Sequence, residues 1–341
     1  MQANTPTPMV VPNTSSSDTF QQTVLTTLSS ASTSVVSISI NKDIKAYIQD
    51  PSQTVSPWAI QDTKLGWASG ILISKEGYVL TSKHVFSNTG VTYQVTLSDG
   101  KTYAVDKVRF DDALDLAVLK IAGSGDNFPV AHFISFTQPA QIGQFVLALG
   151  SPASEALSVT FGILSSTNKT FTINTTNTYV GLYQTDALLV AGNSGGPLLD
   201  LQGQVLGINT AVDTSQGRAF ALPVSQEFIA TTLASLATYS QIVRPLLGLQ
   251  YKDITPTLQK DKNLPVSAGV IVTDVLAWLP AEQAGLQAGD IITAINDKAI
   301  TSQLPFLYHI YTYLPGTTLT LDVLRNGTAI KVQVVLGENW G

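Results

Sequence analysis

From "WASGILIS" at residue 67 to about Pro223, apolar and polar residues alternate in short runs, each closed by glycine, proline, asparagine or aspartate. "EGYVLTS", "TYQVTLSDGKTYAVDKVRF", "DLAVLKI", "QFVLALG", "SVTFGILSS", "TYVGLYQT" and "QVLGINTAV" are successive examples. A strand sends neighbouring side chains to opposite faces, so this alternation predicts half-buried strands rather than helices. Many short strands in one stretch leave few solutions, and an all-β barrel or a pair of barrels is the expected one.

The flanks have a different texture. "FQQTVLTTLSSASTSVVSISI" predicts a short helix running into a β-branched strand, and residues 41–66 read as a polar, proline-containing insertion. "SQEFIATTLASLATYSQI", residues 225–242, has helical periodicity and reads as a closing helix or spacer. Beyond it, Arg244 to about Glu338 has the punctuation of a small α+β module. There "AEQAGLQAGD" predicts a short helix stopped by glycine, and "SQLPFLYHIYTYLPG" a longer one between strands. No tandem repeat is present.

Composition removes several function classes. Only 12% of the 341 residues are charged and the net charge is −6, so there is no basic footprint for nucleic acid. Cysteine is absent and there are three histidines, which leaves no thiolate zinc site and little for any other metal cluster. No apolar run is long enough for a membrane span, and the opening "MQANTPTPMVVPNTSSSDTF" lacks the basic and apolar regions of a signal peptide. That opening reads as a disordered Ser/Thr/Pro tail of the kind left when a signal or membrane anchor has been removed.

Within this frame "AGNSGGPLLD", residues 191–200, surrounds one hydroxyl with unusual backbone freedom. A plain turn has no use for a particular serine, but a nucleophile needs a sharp bend and amides converging on the attacked oxygen. Gly192, Gly195 and Gly196 around Ser194 meet that need. His84, just after the apolar "GYVLTS", is the candidate base. Asp115 opens the buried run "LAVL" and is the candidate partner for its imidazole, ahead of the nearby Asp111 and Asp112. His132 and His309 have no supporting pattern and read as structural.

The blocks "GYVLTSKHV", "LDLAVLKI", "IGQFVLALGSP", "SVTFGILSS", "QTDALLVAGNSGGPLLD" and "GRAFALPVS" resemble, in order and spacing, the signature blocks of HtrA-type (Deg) serine proteases of the chymotrypsin-like clan. "RPLLGLQY", "SAGVIVTDVLAWLPAEQAGLQAGDIITAIND" and "TLTLDVLRNGTAIKVQVVL" resemble the PDZ domain that follows the protease in that family. The resemblance implies a mainly β protein: a double six-stranded β-barrel protease domain over 34–223 and a small α+β PDZ domain over 244–339. Residues 1–33 would form the tail and N-terminal segment, and 224–243 a helical linker.

It further implies a His84–Asp115–Ser194 triad, with Gly192, Asn193 and Ser194 as the oxyanion hole. Leu188 would be the base of the specificity pocket and Asn209, Thr210 and Ala211 its wall, which favours cleavage after apolar residues. Asn193 stands where digestive relatives carry an activating aspartate, so control falls to the loop 187–192. In that loop Leu189, Val190 and Ala191 depart from the Ile-Asn-Pro common in the family. Leu246, Leu247, Gly248 and Leu249 would bind a peptide C-terminus.

The implied protein works outside the cytoplasm, without metal or cofactor, on unfolded or C-terminally exposed substrates, and assembles as a homotrimer through contacts such as Phe20, Val24 and Leu25. Two alternatives stay open: a PDZ-led binding or holdase module with a resting protease scaffold, and a narrow regulatory protease.

Overall fold

A computed structural model describes residues 15–42, 64–86, 91–123, 127–151, 157–172, 178–190, 192–213 and 217–339. Most of the Ser/Thr/Pro tail and of the expected insertion lies outside them. The insertion is shorter than 41–66, because Asn41 and Lys42 continue strand β1 and Lys64–Gly66 already belong to β2.

After helix α1 (Ser15–Ala31), two closed antiparallel barrels of six strands follow in sequence. The first comprises β1 (Val35–Lys42), β2 (Lys64–Leu72), β3 (Tyr78–Ser82), β4 (Val91–Thr96), β5 (Thr102–Asp111) and β6 (Leu116–Ile121), in the order β1-β2-β3-β6-β5-β4. The second comprises β7 (Phe145–Gly150), β8 (Ser158–Thr172), β9 (Thr178–Thr185), β10 (Pro197–Leu199), β11 (Val205–Asp213) and β12 (Arg218–Pro223), in the order β10-β11-β12-β9-β8-β7.

Side-chain parity explains why some strands alternate and others read as solid apolar runs. In β6 Leu119 and Ile121 fill the first barrel, while Leu116 and Val118 face outward into a second apolar layer. In β7 Val146 and Ala148 fill the second barrel, and Leu147 and Leu149 enter the layer between the barrels. A strand covered on both faces needs apolar residues at every position. Full burial of each such leucine stabilises by about 1.5–3 kcal/mol.

Helix α2 (Gln226–Tyr239) is capped by Ser225, whose Oγ accepts the Phe228 N–H at 3.2 Å, and ends at Ser240 in the left-handed region. It leads into a third unit with a six-stranded sheet whose main path is β14 (Leu249–Asp253), β15 (Val270–Val275), β16 (Ile291–Ile295), β18 (Thr318–Arg325) and β19 (Thr328–Val335). A short strand β17 (Lys298–Ala299) pairs with β16, and β13 (Arg244–Leu246) pairs with β20 (Gly337–Asn339). Three short helices complete it: α3 (Pro256–Lys262), α4 (Pro280–Gln283) and α5 (Phe306–Ile310).

The last helix is shorter than the periodicity predicts. Pro305 sets its start, and Thr312 and Tyr313 already make tighter i→i−3 bonds to His309 and Ile310, two residues before Pro315.

The third unit is packed against both barrels and α2. Arg244 donates through Nε to Asp111 at 2.7 Å in full burial, its guanidinium lying over Phe228 with Tyr311 beyond. Thr231 donates to the Tyr311 carbonyl at 3.0 Å, and the Tyr308 hydroxyl to the Val180 carbonyl at 3.1 Å.

Candidate active site

His84 sits in a 3-10 turn, Lys83–Phe86, immediately after β3, and Asp115 in the turn before β6. Because β3 and β6 are paired, with Ser82 opposite Leu116, the two residues meet at the same end of the barrel. Asp115 Oδ2 accepts from His84 Nδ1 at 2.7 Å, and its Oδ1 accepts the His84 backbone N–H at 2.9 Å. One carboxylate therefore fixes both the ring and the turn that carries it. The Thr210 hydroxyl donates to the same Oδ2 at 2.6 Å.

The rival acids are engaged elsewhere. Asp111 is buried, pairs with Arg244 and accepts the Ala113 and Leu114 amides, while Asp112 pairs with Lys83 at 2.8 Å.

Ser194 comes from the second barrel, in the bend before β10, and its backbone is tied to the first. Its carbonyl accepts the Ser69 N–H at 3.0 Å, while Gly195 N–H donates to the Asn209 carbonyl at 2.8 Å. Gly195 has φ +84°, and a Cβ there would collide with the Ser69 carbonyl and the Thr81 hydroxyl, so only glycine fits against β2 and β3. Ser69 Oγ donates to the Gly192 carbonyl at 2.6 Å and accepts the Ser151 N–H at 2.8 Å, which ties that carbonyl to β2. Among the described residues the amides of Gly192 and Ser194 donate no hydrogen bond, and the Ser194 hydroxyl makes none.

Other expectations need correction. The Asn193 amide is no free donor, because it bonds to the Val190 carbonyl at 3.0 Å. Its side chain is fully buried behind the bend, with neither amide atom paired among the described residues. Leu188 does not form a recessed pocket floor. Ala187 and Leu189 point into the second barrel, so Leu188 and Val190 point out, and Leu188 is 62% exposed. Asn209 turns inward, its amide donating to the Leu149 and Pro197 carbonyls at 3.2 and 3.1 Å. Thr210 spends its hydroxyl on Asp115, and Ala211 is buried. Ala191 of the loop 187–192 lies outside the described residues. The sequence reading missed Ser69, whose signal was a buried hydroxyl in the apolar strand "WASGILI", where it must find a partner.

In the third unit β14 is an edge strand, paired to β15 on one side only. The Leu247 and Gly248 carbonyls accept from Ala281 and Leu276 at 2.8 and 3.0 Å. Their amides donate no hydrogen bond among the described residues. Leu246 lies in β13, ahead of this turn, and Leu249 opens β14. Tyr251 of β14 and Phe306 of α5 stand edge to face at 4.9 Å between strand and helix.

Comparison with known proteins agrees with this division. Residues 68–208 match the trypsin-like peptidase domain and residues 245–336 the PDZ domain. The chain is 34% identical over 306 residues to the periplasmic pH-dependent serine endoprotease DegQ of Escherichia coli, covering 87% of this chain and 64% of that protein. It is 34% identical over 276 residues to a probable periplasmic DegP-like serine endoprotease of Chlamydia trachomatis, covering 79% and 54%. The chain thus spans roughly 54–64% of the length of these curated relatives.

Among solved structures, the HtrA-type protease AlgW with tripeptide superposes with a TM-score of 0.63 at 29% identity, over 93% of this chain and 98% of that one. The serine endoprotease from Yersinia pestis superposes with a TM-score of 0.54 at 29% identity, over 93% and 98%. The chain belongs to the HtrA (Deg) family, in which a trypsin-like peptidase domain is joined to a PDZ domain.

Proposed function

We propose that this chain is an ATP-independent serine endopeptidase that cleaves unfolded or C-terminally exposed proteins outside the cytoplasm. The observation that supports it best is the His84–Asp115 pair beside a serine bend with two unspent amides. Asp115 accepts the hydrogen bond from Nδ1–H, which leaves Nε2 as the free base. Ser194 Oγ attacks the scissile carbonyl as Nε2 takes its proton. The Gly192 and Ser194 amides receive the developing oxyanion, and His84 then returns the proton to the leaving amine.

The PDZ domain binds peptide C-termini. The carboxylate sits on the Leu247 and Gly248 amides, and the peptide adds as a strand along β14. Assembly is a homotrimer. Phe20 of α1 packs edge to face on Phe145 and Phe161 at 5.6 and 5.8 Å, and these rings stay 41–47% exposed, which suits burial against a second copy. Leu25 is exposed along the same helix, while Val24 packs against the chain's own core.

A peptide library tests the substrate class. Cleavage should follow Val, Leu or Ala, since the exposed Leu188 and Val190 just ahead of the serine bend are apolar and have no charge to pair with a basic side chain. Products dominated by cuts after Lys or Arg would overturn the assignment of these residues.

A further inference from the structure

A cavity of about 390 Å³ lies beside the triad and is walled by both domains. His84, Asp112 and Asp115 line one side, Tyr179 and Val180 of β9 the second, and Leu307 and Tyr308 of α5 the third. Asp115 takes its three short contacts from His84 and Thr210. Tyr179 lines the same cavity as this carboxylate, close enough for its phenol to respond to the Asp115 charge. Burial, then the charge of Asp115, push the Tyr179 phenol up to about 12, so it stays a neutral donor across the working pH range.

The PDZ domain holds this part of β9. The Tyr308 hydroxyl grips the Val180 carbonyl at 3.1 Å. Its ring lies on Gly181, φ +71°, where any Cβ would collide with it. Tyr179 is therefore the residue next to the one clamped by the PDZ domain. The other charges around the cavity are already paired: Lys83 with Asp112, and Asp111 with Arg244.

Resting on the endopeptidase reading, we propose that Tyr179 is a positioning residue of the triad: its hydroxyl donates to Asp115 during turnover and sets how tightly that carboxylate holds the proton on His84. A carboxylate with one donor fewer carries its charge less dispersed and attracts the imidazolium proton more strongly.

The test is the pH dependence of kcat/KM for a short apolar peptide substrate, with full-length wild type, Tyr179→Phe and Tyr308→Phe. Tyr179→Phe keeps the ring and its packing. It should lower kcat about three- to tenfold, the size of one net hydrogen bond. KM should stay within about twofold, and the acid limb should move to higher pH by about half a unit. Tyr308→Phe, which frees Val180, should move the limb in the same direction by less.

A Tyr179→Phe profile superimposable on an active wild type would overturn this inference alone. A wild type that neither hydrolyses peptide nor reacts with a fluorophosphonate would overturn the endopeptidase reading and this role with it.

Discussion

His309 is fully buried where the PDZ domain meets the second barrel, 4.5 Å from the Phe136 ring and 5.9 Å from Tyr313, with neither ring nitrogen paired among the described residues. Burial, with Lys298 nearby, pushes it down from 6.5 to about 4. The sign follows directly. Above pH 6.5 the ring is neutral whether packed or exposed, and stability is at its full value. As pH falls from 6.5 towards 4, only the exposed ring gains a proton, so about 3 kcal/mol of stability drains away. Urea midpoints at pH 7, 5.5 and 4 should fall more steeply for wild type than for His309→Phe, and parallel falls would contradict the assignment. In the sequence His309 has no supporting pattern and reads as structural, because what isolates it is Phe136, more than 170 residues away. His84 and Asp115 stood out for the opposite reason: each breaks an apolar run at a strand end. Thr210 and Leu188 were harder, since position along a strand does not reveal which face a side chain takes once a register shift intervenes, as between Asn209 and Ala211.

At the scale of elements, the barrels were legible because alternation reports strands directly. Boundaries set by tertiary contact were less so. Helix α5 stops at Ile310, and just beyond it the Tyr311 carbonyl accepts from Thr231 across the domain seam. The turn between β5 and β6 has its own brace. Asp111 caps it through the Ala113 and Leu114 amides and receives Arg244 from β13. Breaking one side of this buried pair leaves an unpaired charge, so Arg244→Ala should destabilise by about 3–5 kcal/mol. Replacing both residues, Asp111→Asn with Arg244→Met, should recover part of that loss. Denaturant unfolding with a double-mutant cycle measures it, and additive losses would mean that the two side chains do not act as a pair.

At the scale of the molecule, one apolar layer runs from between the barrels through Phe228 to Tyr308 and Tyr311, so protease and PDZ domain share a core rather than a hinge. No sequence pattern announces such a seam, because its residues are the ordinary inward positions of three separate units. The seam carries the PDZ helix to within one residue of Tyr179, which shares a cavity with Asp115. The chemistry itself still rests on Ser194, and active-site labelling tests it most directly. Full-length protein and Ser194→Ala are incubated with a fluorophosphonate, with and without an unfolded protein, and the adduct is mapped by peptide mass. The prediction is a single adduct on Ser194, made faster by the unfolded protein and absent from Ser194→Ala. No adduct on the wild type, or equal labelling of both proteins, would contradict it.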